Sequence, residues 1–264
     1  MSWGIPWGIP CGALGLATLL AVTAITTDAS ARARHHRHHA PAAESYEPSY
    51  SSIVVDANSG AVMQATNADS PRHPASLTKI MTLYLLFERL EAGKIKLTTE
   101  MPVSPHAASM APSKLGLTPG QSIDVETAIR AIVTKSANDV AVIVAEALGG
   151  DENEFGKMMT AKARALGMMH TNYHNASGLP DDLQMSTARD QAILGRAIQD
   201  RFPQYYAYFS IRYFAFHGRM IRNHNHLLGS VPGLDGIKTG YIHDSGFNIV
   251  TSVRRNGRHI VAVV

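Results

Sequence analysis

Ser76 and Lys79 stand three positions apart in "PASLTKIMTLYLLFERL" (74–90), with Leu77, Ile80, Met81 and Leu83 around the lysine. Residues i and i+3 share a helix face. A hydroxyl at the start of such a helix sits at the positive end of its dipole, beside backbone N–H groups that have no partner within the helix. An amine held among apolar side chains loses hydration, and its pKa falls. A neutral amine can take the proton of a serine, whereas a hydrated ammonium cannot. The pair therefore reads as a nucleophile with its base. The plain alternative is a serine N-cap followed by a lysine that reaches solvent, and S-x-x-K by itself does not separate the two.

Two further stretches carry polar groups at turning points of the chain. In "KSANDVAV", Ser136 and Asn138 fall between two apolar segments, where a hydroxyl could relay a proton and a carboxamide could hold a peptide group. Either residue could instead cap the following helix. In "GLDGIKTGYIHDSGF", Lys238-Thr239-Gly240 follows an expected turn at Asp235-Gly236 and enters a strand. Lys238 and Thr239 suit a substrate carboxylate, and Gly240 lets a ligand backbone approach closely. The alternative is an edge strand with a solubilising lysine.

The elements that must position these groups are legible from periodicity. "SIVVD" and "AVMQA" flank Ala57-Asn58-Ser59-Gly60 as strand, turn and strand. A helix starts at Ser76. Asp124 caps a helix bearing Val125, Ala128, Ile129, Ile132 and Val133 on one face and stopping near Lys135. A second apolar helix runs from Val140 to Leu148, ahead of Gly149-Gly150. Asp151 and Glu154 form a capping box for the next, and Thr187 to Gln199 is amphipathic. From about Tyr205 alternation takes over, and Asn256-Gly257 signals a hairpin between "GFNIVTSV" and "HIVAVV". The architecture expected is mixed α+β (α/β mixed), an antiparallel sheet built from both ends of the domain with a helical middle subdomain. No internal repeat is visible.

At 264 residues and 45% hydrophobic, the chain suits one good-sized domain, residues 50–264, and its formal charge of +3 is only mildly basic. Cys11 to Ile25 is apolar but short for a membrane span, and Ala29-Ser30-Ala31 follows it. This pattern predicts a signal peptide over 1–31, cleaved after Ala31, although no Lys or Arg precedes the apolar run; an uncleaved anchor is the alternative. Residues 32–49, rich in His, Ala and Pro, read as a disordered linker. Cys11 is the only cysteine, so disulfide and thiolate chemistry are excluded from a processed chain.

The three motifs in this order, S-x-x-K, S-x-N and K-T-G, resemble the penicillin-recognising serine enzymes. With Ser136-Ala137-Asn138 as the middle element, together with "PASLTKIMT", "DGIKTGY", "NASGL" (175–179) and "STARDQAILGRAI" (186–198), the chain is similar to the low-molecular-mass D-alanyl-D-alanine carboxypeptidase family over about residues 50–264. The resemblance implies a DD-peptidase/β-lactamase-like fold. It implies Ser76 as nucleophile, Lys79 as its base, and the N–H groups of Ser76 and Tyr241 as the oxyanion site. Ser136, with help from Lys238, would pass a proton to the departing D-alanine. Asn138 would bind the substrate peptide group, and Lys238 and Thr239 its terminal carboxylate.

The implied partners are peptidoglycan stem peptides and β-lactam antibiotics, in the space outside the cytoplasmic membrane, with peripheral membrane or cell-wall association. No cofactor, metal or nucleic acid is called for. A metal shared by His224 and His226, read as alternating on a strand, is disfavoured. A DD-endopeptidase, or a wall-binding module without turnover, would carry the same motifs, while a β-lactamase is disfavoured because this sequence has no convincing E-x-x-L-N segment after Ser136-Ala137-Asn138. Family members usually continue past this hairpin with another strand and a helix, which predicts that the catalytic domain is C-terminally truncated at Val264. They also commonly place Pro where Ala176 stands.

Overall fold

The computed structural model describes residues 48–264. The signal peptide expected over 1–31 and nearly all of the linker lie outside the described residues.

The described chain begins with β1 (Ser52–Asp56) and β2 (Val62–Thr66), and then a single 3-10 turn over Ala75–Leu77. The middle of the chain holds α1 (Thr78–Glu91), β3 (Glu100–Pro102), α2 (Pro105–Ser109), β4 (Ser122–Asp124), α3 (Val125–Thr134), α4 (Asn138–Gly149), α5 (Glu152–Ala165), α6 (Ala188–Arg201) and α7 (Pro203–Tyr206). The chain closes with β5 (Tyr213–Phe216), β6 (Arg219–Arg222), β7 (Leu234–Ile242), β8 (Gly246–Arg255) and β9 (Arg258–Val263).

The main sheet is antiparallel, in the order β2-β1-β9-β8-β7. Strands from the two ends of the domain therefore meet at β1–β9, as the alternation predicts. Asn256 and Gly257 turn the β8–β9 hairpin with positive φ at both residues, the geometry an Asn-Gly pair favours. Asp124 and Asp151 cap α3 and α5 as read from sequence, each accepting a backbone N–H, and Thr187 does the same at the start of α6. The box at α5 is half formed, because the Glu154 carboxylate takes Lys157 at 2.6 Å instead of reaching back.

α1 is buried on nearly every side, from Thr78 to Phe87 and again at Leu90. It lies between α4, α5 and α6, so the core forms around the helix that carries Lys79. Tyr84 and Phe87 meet Phe202 edge-on at 4.9 and 5.7 Å. Each fully buried ring contributes about 2 kcal/mol of hydrophobic stabilisation.

Two expectations are corrected here. Asp235-Gly236 is no turn: both residues lie within β7, where the register with β8 slips between Leu234 and Gly236, a bulge that mimics a turn signal in sequence. His224 and His226 lie in the loop after β6, not on a strand, so their alternation has no structural meaning.

Candidate active site

The nucleophile segment is held on both flanks before any catalytic group is considered. Arg72 and Ser186 exchange backbone hydrogen bonds of 2.8 Å, and the Asn248 amide of β8 donates to the His73 carbonyl at 3.1 Å. Ser76 then falls inside the 3-10 turn, one residue before α1, and not at the first α-helical turn. The tighter turn keeps its hydroxyl at the helix start without making it a cap, since no side-chain cap bond is present there.

Lys79 is fully buried, and its Nζ lies 3.0 Å from Ser76 Oγ. It also donates to Asn138 Oδ1 at 2.8 Å and to the Ser177 carbonyl at 2.5 Å. The last two partners can only accept. They use the two N–H groups of a neutral amine and leave its lone pair toward the Ser76 hydroxyl. Burial first, and the nearby Lys238 charge second, push the Lys79 pKa well below the ordinary lysine value, with Asp139 and Glu152 opposing. The solvent-reaching lysine is thereby excluded.

Ser136 sits between α3 and α4 with φ of +57°. Its Oγ is buried and has no hydrogen-bond partner among the described residues. The capping alternative fails, because the N-cap of α4 is Ala137 and no side chain caps it. A buried hydroxyl without a partner costs about 1–3 kcal/mol, which a substrate bond would relieve. Asn138 is largely engaged by the protein: Oδ1 takes Lys79, Nδ2 donates to the Ala111 carbonyl at 2.9 Å, and one N–H remains for a ligand. It thus helps to orient the Lys79 amine.

Lys238 on β7 is 1% exposed, far from a solubilising edge lysine, and burial lowers its pKa to about 7. Its Nζ donates to the Thr239 carbonyl at 2.9 Å. Gly240 packs against the nucleophile turn: a Cβ there would lie 3.0 Å from Ser76 N and 3.2 Å from Ala75 Cβ. The need for glycine is accounted for by the protein's own backbone, where the sequence reading assigned it to a ligand. β7 is an edge strand, so alternate N–H groups face away from β8. The Tyr241 side chain is exposed, with its ring 4.6 Å from that of Phe247. Ser76, Lys79, Asn138 and Gly240 are thus brought together where the edge strand β7 meets the start of α1, with Lys238 near enough for its charge to act on Lys79 and Ser136 two residues before Asn138.

Several contributors had no catalytic role in the sequence reading. The Ser177 carbonyl orients Lys79, and Asn175 shapes its loop by accepting from Gly178 N at 2.7 Å. Gln184 fixes that loop from outside, accepting from His174 N and Asn175 N at 2.9 Å each. Ala176 donates its N–H to Glu152 Oε1 at 2.9 Å, a bond that a proline could not make. Asp139, fully buried, accepts from Leu115 N, Gly116 N and Val140 N at 3.1, 3.0 and 2.9 Å, so it ties the 111–117 loop to α4. The Asn-Ala-Ser-Gly turn chemistry was a visible signal for this loop. Backbone carbonyls as lysine partners leave none.

An antiparallel sheet closed by strands from both ends, with a helical unit against it and a buried Ser–Lys pair where they meet, is the DD-peptidase fold. Comparison with known proteins agrees. The sequence profile of the D-alanyl-D-alanine carboxypeptidase family matches residues 37–264. The carboxypeptidase DacF of Bacillus subtilis is 34% identical over 219 residues, covering 81% of this chain and 56% of the relative. DacA of Escherichia coli is 36% identical over 229 residues, covering 84% and 55%.

Among solved structures, penicillin binding protein 5 of Haemophilus influenzae superposes with a TM-score of 0.78 at 32% identity, covering 83% of this chain and 66% of that one. Penicillin-binding protein D2 of Listeria monocytogenes, in its ampicillin-bound form, gives 0.74 at 28%, covering 81% and 88%. The chain belongs to the D-alanyl-D-alanine carboxypeptidase family. It spans about half the length of the curated relatives it matches.

Proposed function

We propose that this protein is a serine-type D-alanyl-D-alanine carboxypeptidase, removing the terminal D-alanine of peptidoglycan stem peptides through an acyl-enzyme, and that penicillins acylate the same serine. The observation that carries the reading is the Lys79 amine, buried and 3.0 Å from Ser76 Oγ, with its N–H groups directed to two obligate acceptors. Ser76 Oγ attacks the carbonyl carbon between the two D-alanines while its proton passes to Lys79. The N–H groups of Ser76 and Tyr241 bind the oxyanion. The C–N bond breaks as Ser136 delivers its proton to the departing amine and takes in its place the proton that Lys79 received from Ser76, with Lys238 adding positive charge beside it. Lys238 and Thr239 bind the terminal carboxylate, and the remaining N–H of Asn138 meets the peptide group. Water then cleaves the ester, restoring Ser76 and releasing the shortened peptide.

The relatives named above support this reading, as does the ampicillin complex of the Listeria protein. The substrate lies outside the cytoplasmic membrane, so the reading includes export to the periplasm or cell-wall space and association with the wall. The apolar stretch ending at Ala29-Ser30-Ala31 supports that part. Among the described residues no helix is long and apolar enough to cross a membrane.

The test is intact-mass measurement after mixing with benzylpenicillin, with peptide mapping of the adduct. The expected result is one covalent adduct on Ser76, lost in Ser76→Ala, together with D-alanine release from a pentapeptide ending in D-alanyl-D-alanine. A folded sample showing neither adduct nor release would overturn the reading.

A further inference from the structure

The loop that holds the Lys79 amine is itself held by two side chains that the mechanism does not use. Lys79 and Thr82 stand three residues apart on α1, so the Thr82 hydroxyl shares the helix face that carries the amine. Thr82 is fully buried, and its Oγ1 donates to the Ala176 carbonyl at 2.7 Å. A threonine inside a helix has a local acceptor available, the carbonyl four residues back. Thr134 uses it in α3, donating to the Arg130 carbonyl at 2.7 Å. Thr82 instead reaches a segment 94 residues later in the chain.

Glu152, the first residue of α5, holds the same residue by its other backbone group. Its Oε1 accepts the Ala176 N–H at 2.9 Å, and its Oε2 pairs with His106 Nε2 at 2.9 Å, so both oxygens are engaged and the carboxylate is fixed in rotation. Ala176 is therefore bonded at its N–H from α5 and at its carbonyl from α1. The next carbonyl along the chain is that of Ser177, which accepts from Lys79 at 2.5 Å. The N–H of the same peptide unit, that of Gly178, donates to Asn175 Oδ1 at 2.7 Å. A closed ring results: Lys79 to the Ser177 carbonyl, back one residue to Ala176, across to Thr82, and along α1 to Lys79 again.

We propose that Thr82 and Glu152 are positioning residues for the Lys79 base: by fixing Ala176 from α1 and from α5 they hold the Ser177 carbonyl on one N–H of the amine, and so keep its lone pair directed at Ser76 Oγ. The inference rests on the acyl-enzyme reading of the site. Both residues act through the loop and not on the reacting atoms. The direction of a neutral amine's lone pair is set by where its two N–H groups go, and a shift of about 1 Å in such an acceptor can cost about 10²-fold in rate. The charge of Glu152 cannot be its contribution, because that charge favours protonated Lys79 and works against a base. What remains for Glu152 is geometry.

The test is stopped-flow acylation of the full chain by benzylpenicillin over a concentration series, which separates the limiting rate from the half-saturating concentration. Thr82→Val keeps the side-chain shape and removes the hydroxyl, and Glu152→Ala removes the acceptor. Each should lower the limiting rate by about 10- to 100-fold while the half-saturating concentration stays within about twofold of the wild type. Thr82→Ser keeps the donor and Glu152→Gln keeps the acceptor, so each should recover most of the loss. Glu152→Gln should also move the pH midpoint of acylation downward, since a charge that favours protonated Lys79 is gone.

A limiting rate unchanged in Thr82→Val and Glu152→Ala overturns the inference. So does a loss that Thr82→Ser and Glu152→Gln share in full, because the hydrogen bonds would then not be what matters, and so does an effect confined to the half-saturating concentration, which would assign these residues to binding. Should Thr82→Val fail to fold, the comparison of Glu152→Ala with Glu152→Gln decides the matter, since the Glu152 side chain is partly exposed and lies outside the α1 core. The two readings fail differently. A wild type that forms no adduct on Ser76 overturns the acyl-enzyme reading and this inference with it, whereas variants that acylate as fast as an active wild type overturn this inference alone.

Discussion

Lys79 combines two demands that usually conflict, full burial and the ability to exchange a proton. A lysine in apolar surroundings is tolerable as a neutral amine, and the Asn138 and Ser177 acceptors then decide where its lone pair points. Replacing it by methionine keeps the length and removes the base. Lys79→Met is expected to slow acylation by benzylpenicillin by about 10²–10⁴-fold, the usual scale for losing a positioned base, with the far-UV circular dichroism unchanged. In the wild type the acylation rate should climb with pH over a range lying below the ordinary lysine pKa of 10.5, as Lys79 sheds its proton. Stopped-flow acylation between pH 5 and 10 measures both, and a flat profile in the wild type would remove Lys79 from the role of base.

Elements contribute by holding short irregular segments against α1. The Asn175–Gly178 loop is the tightest: Gly178 has φ of +80°, and a Cβ there would come within 1.8 Å of the Ala75 carbonyl. Gly178→Ala therefore has to displace the nucleophile turn or the Ser177 carbonyl. It should cost about 2–4 kcal/mol in urea denaturation and lower the acylation rate along with stability. Ala176→Pro, a change toward the family's usual residue, should instead destabilise this chain, because the Ala176 N–H is bonded to Glu152; a loss of about 1 kcal/mol is expected by the same measurement. On the far side of the cleft, Asp139→Ala would free the N–H groups of Leu115 and Gly116. Limited proteolysis should then cut within 111–117 faster than in the wild type, since that loop loses its tie to α4.

Across the whole molecule, the two buried lysines link stability to pH. Their folded-state pKa values are depressed, so the unfolded chain binds more protons than the folded one between those values and 10.5. For Lys238 the window runs from about 7 to 10.5, and its contribution to the free energy of unfolding rises with pH through it. Urea denaturation at pH 7 and pH 9.5 should show a stability increase that is smaller in Lys238→Met. An equal increase in the variant would mean that Lys238 is charged in the folded protein. The same desolvation that costs stability at neutral pH keeps a readily deprotonated amine beside the serine.

Much of this was written in the chain itself. Apolar periodicity gives α1, α3 and α4 their faces, Asp124, Asp151 and Thr187 start helices by satisfying N–H groups within three residues, and Asn256-Gly257 sets a hairpin; all of these act over a few residues, where propensity and hydrogen bonding are local. The order of the motifs around Ser76, Ser136 and Lys238 likewise pointed to the family. What only the folded molecule decided involves partners distant in sequence. Asn138 and the Ser177 carbonyl, 59 and 98 residues away from Lys79, hold in the interior a lysine amine that could have reached solvent. Gly240 proved to be shaped by the turn at Ser76, more than 160 residues earlier in the chain. Asp235-Gly236 became a bulge once β8 lay beside it. Burial and long-range register are properties of the assembled core, and no short window of sequence contains them.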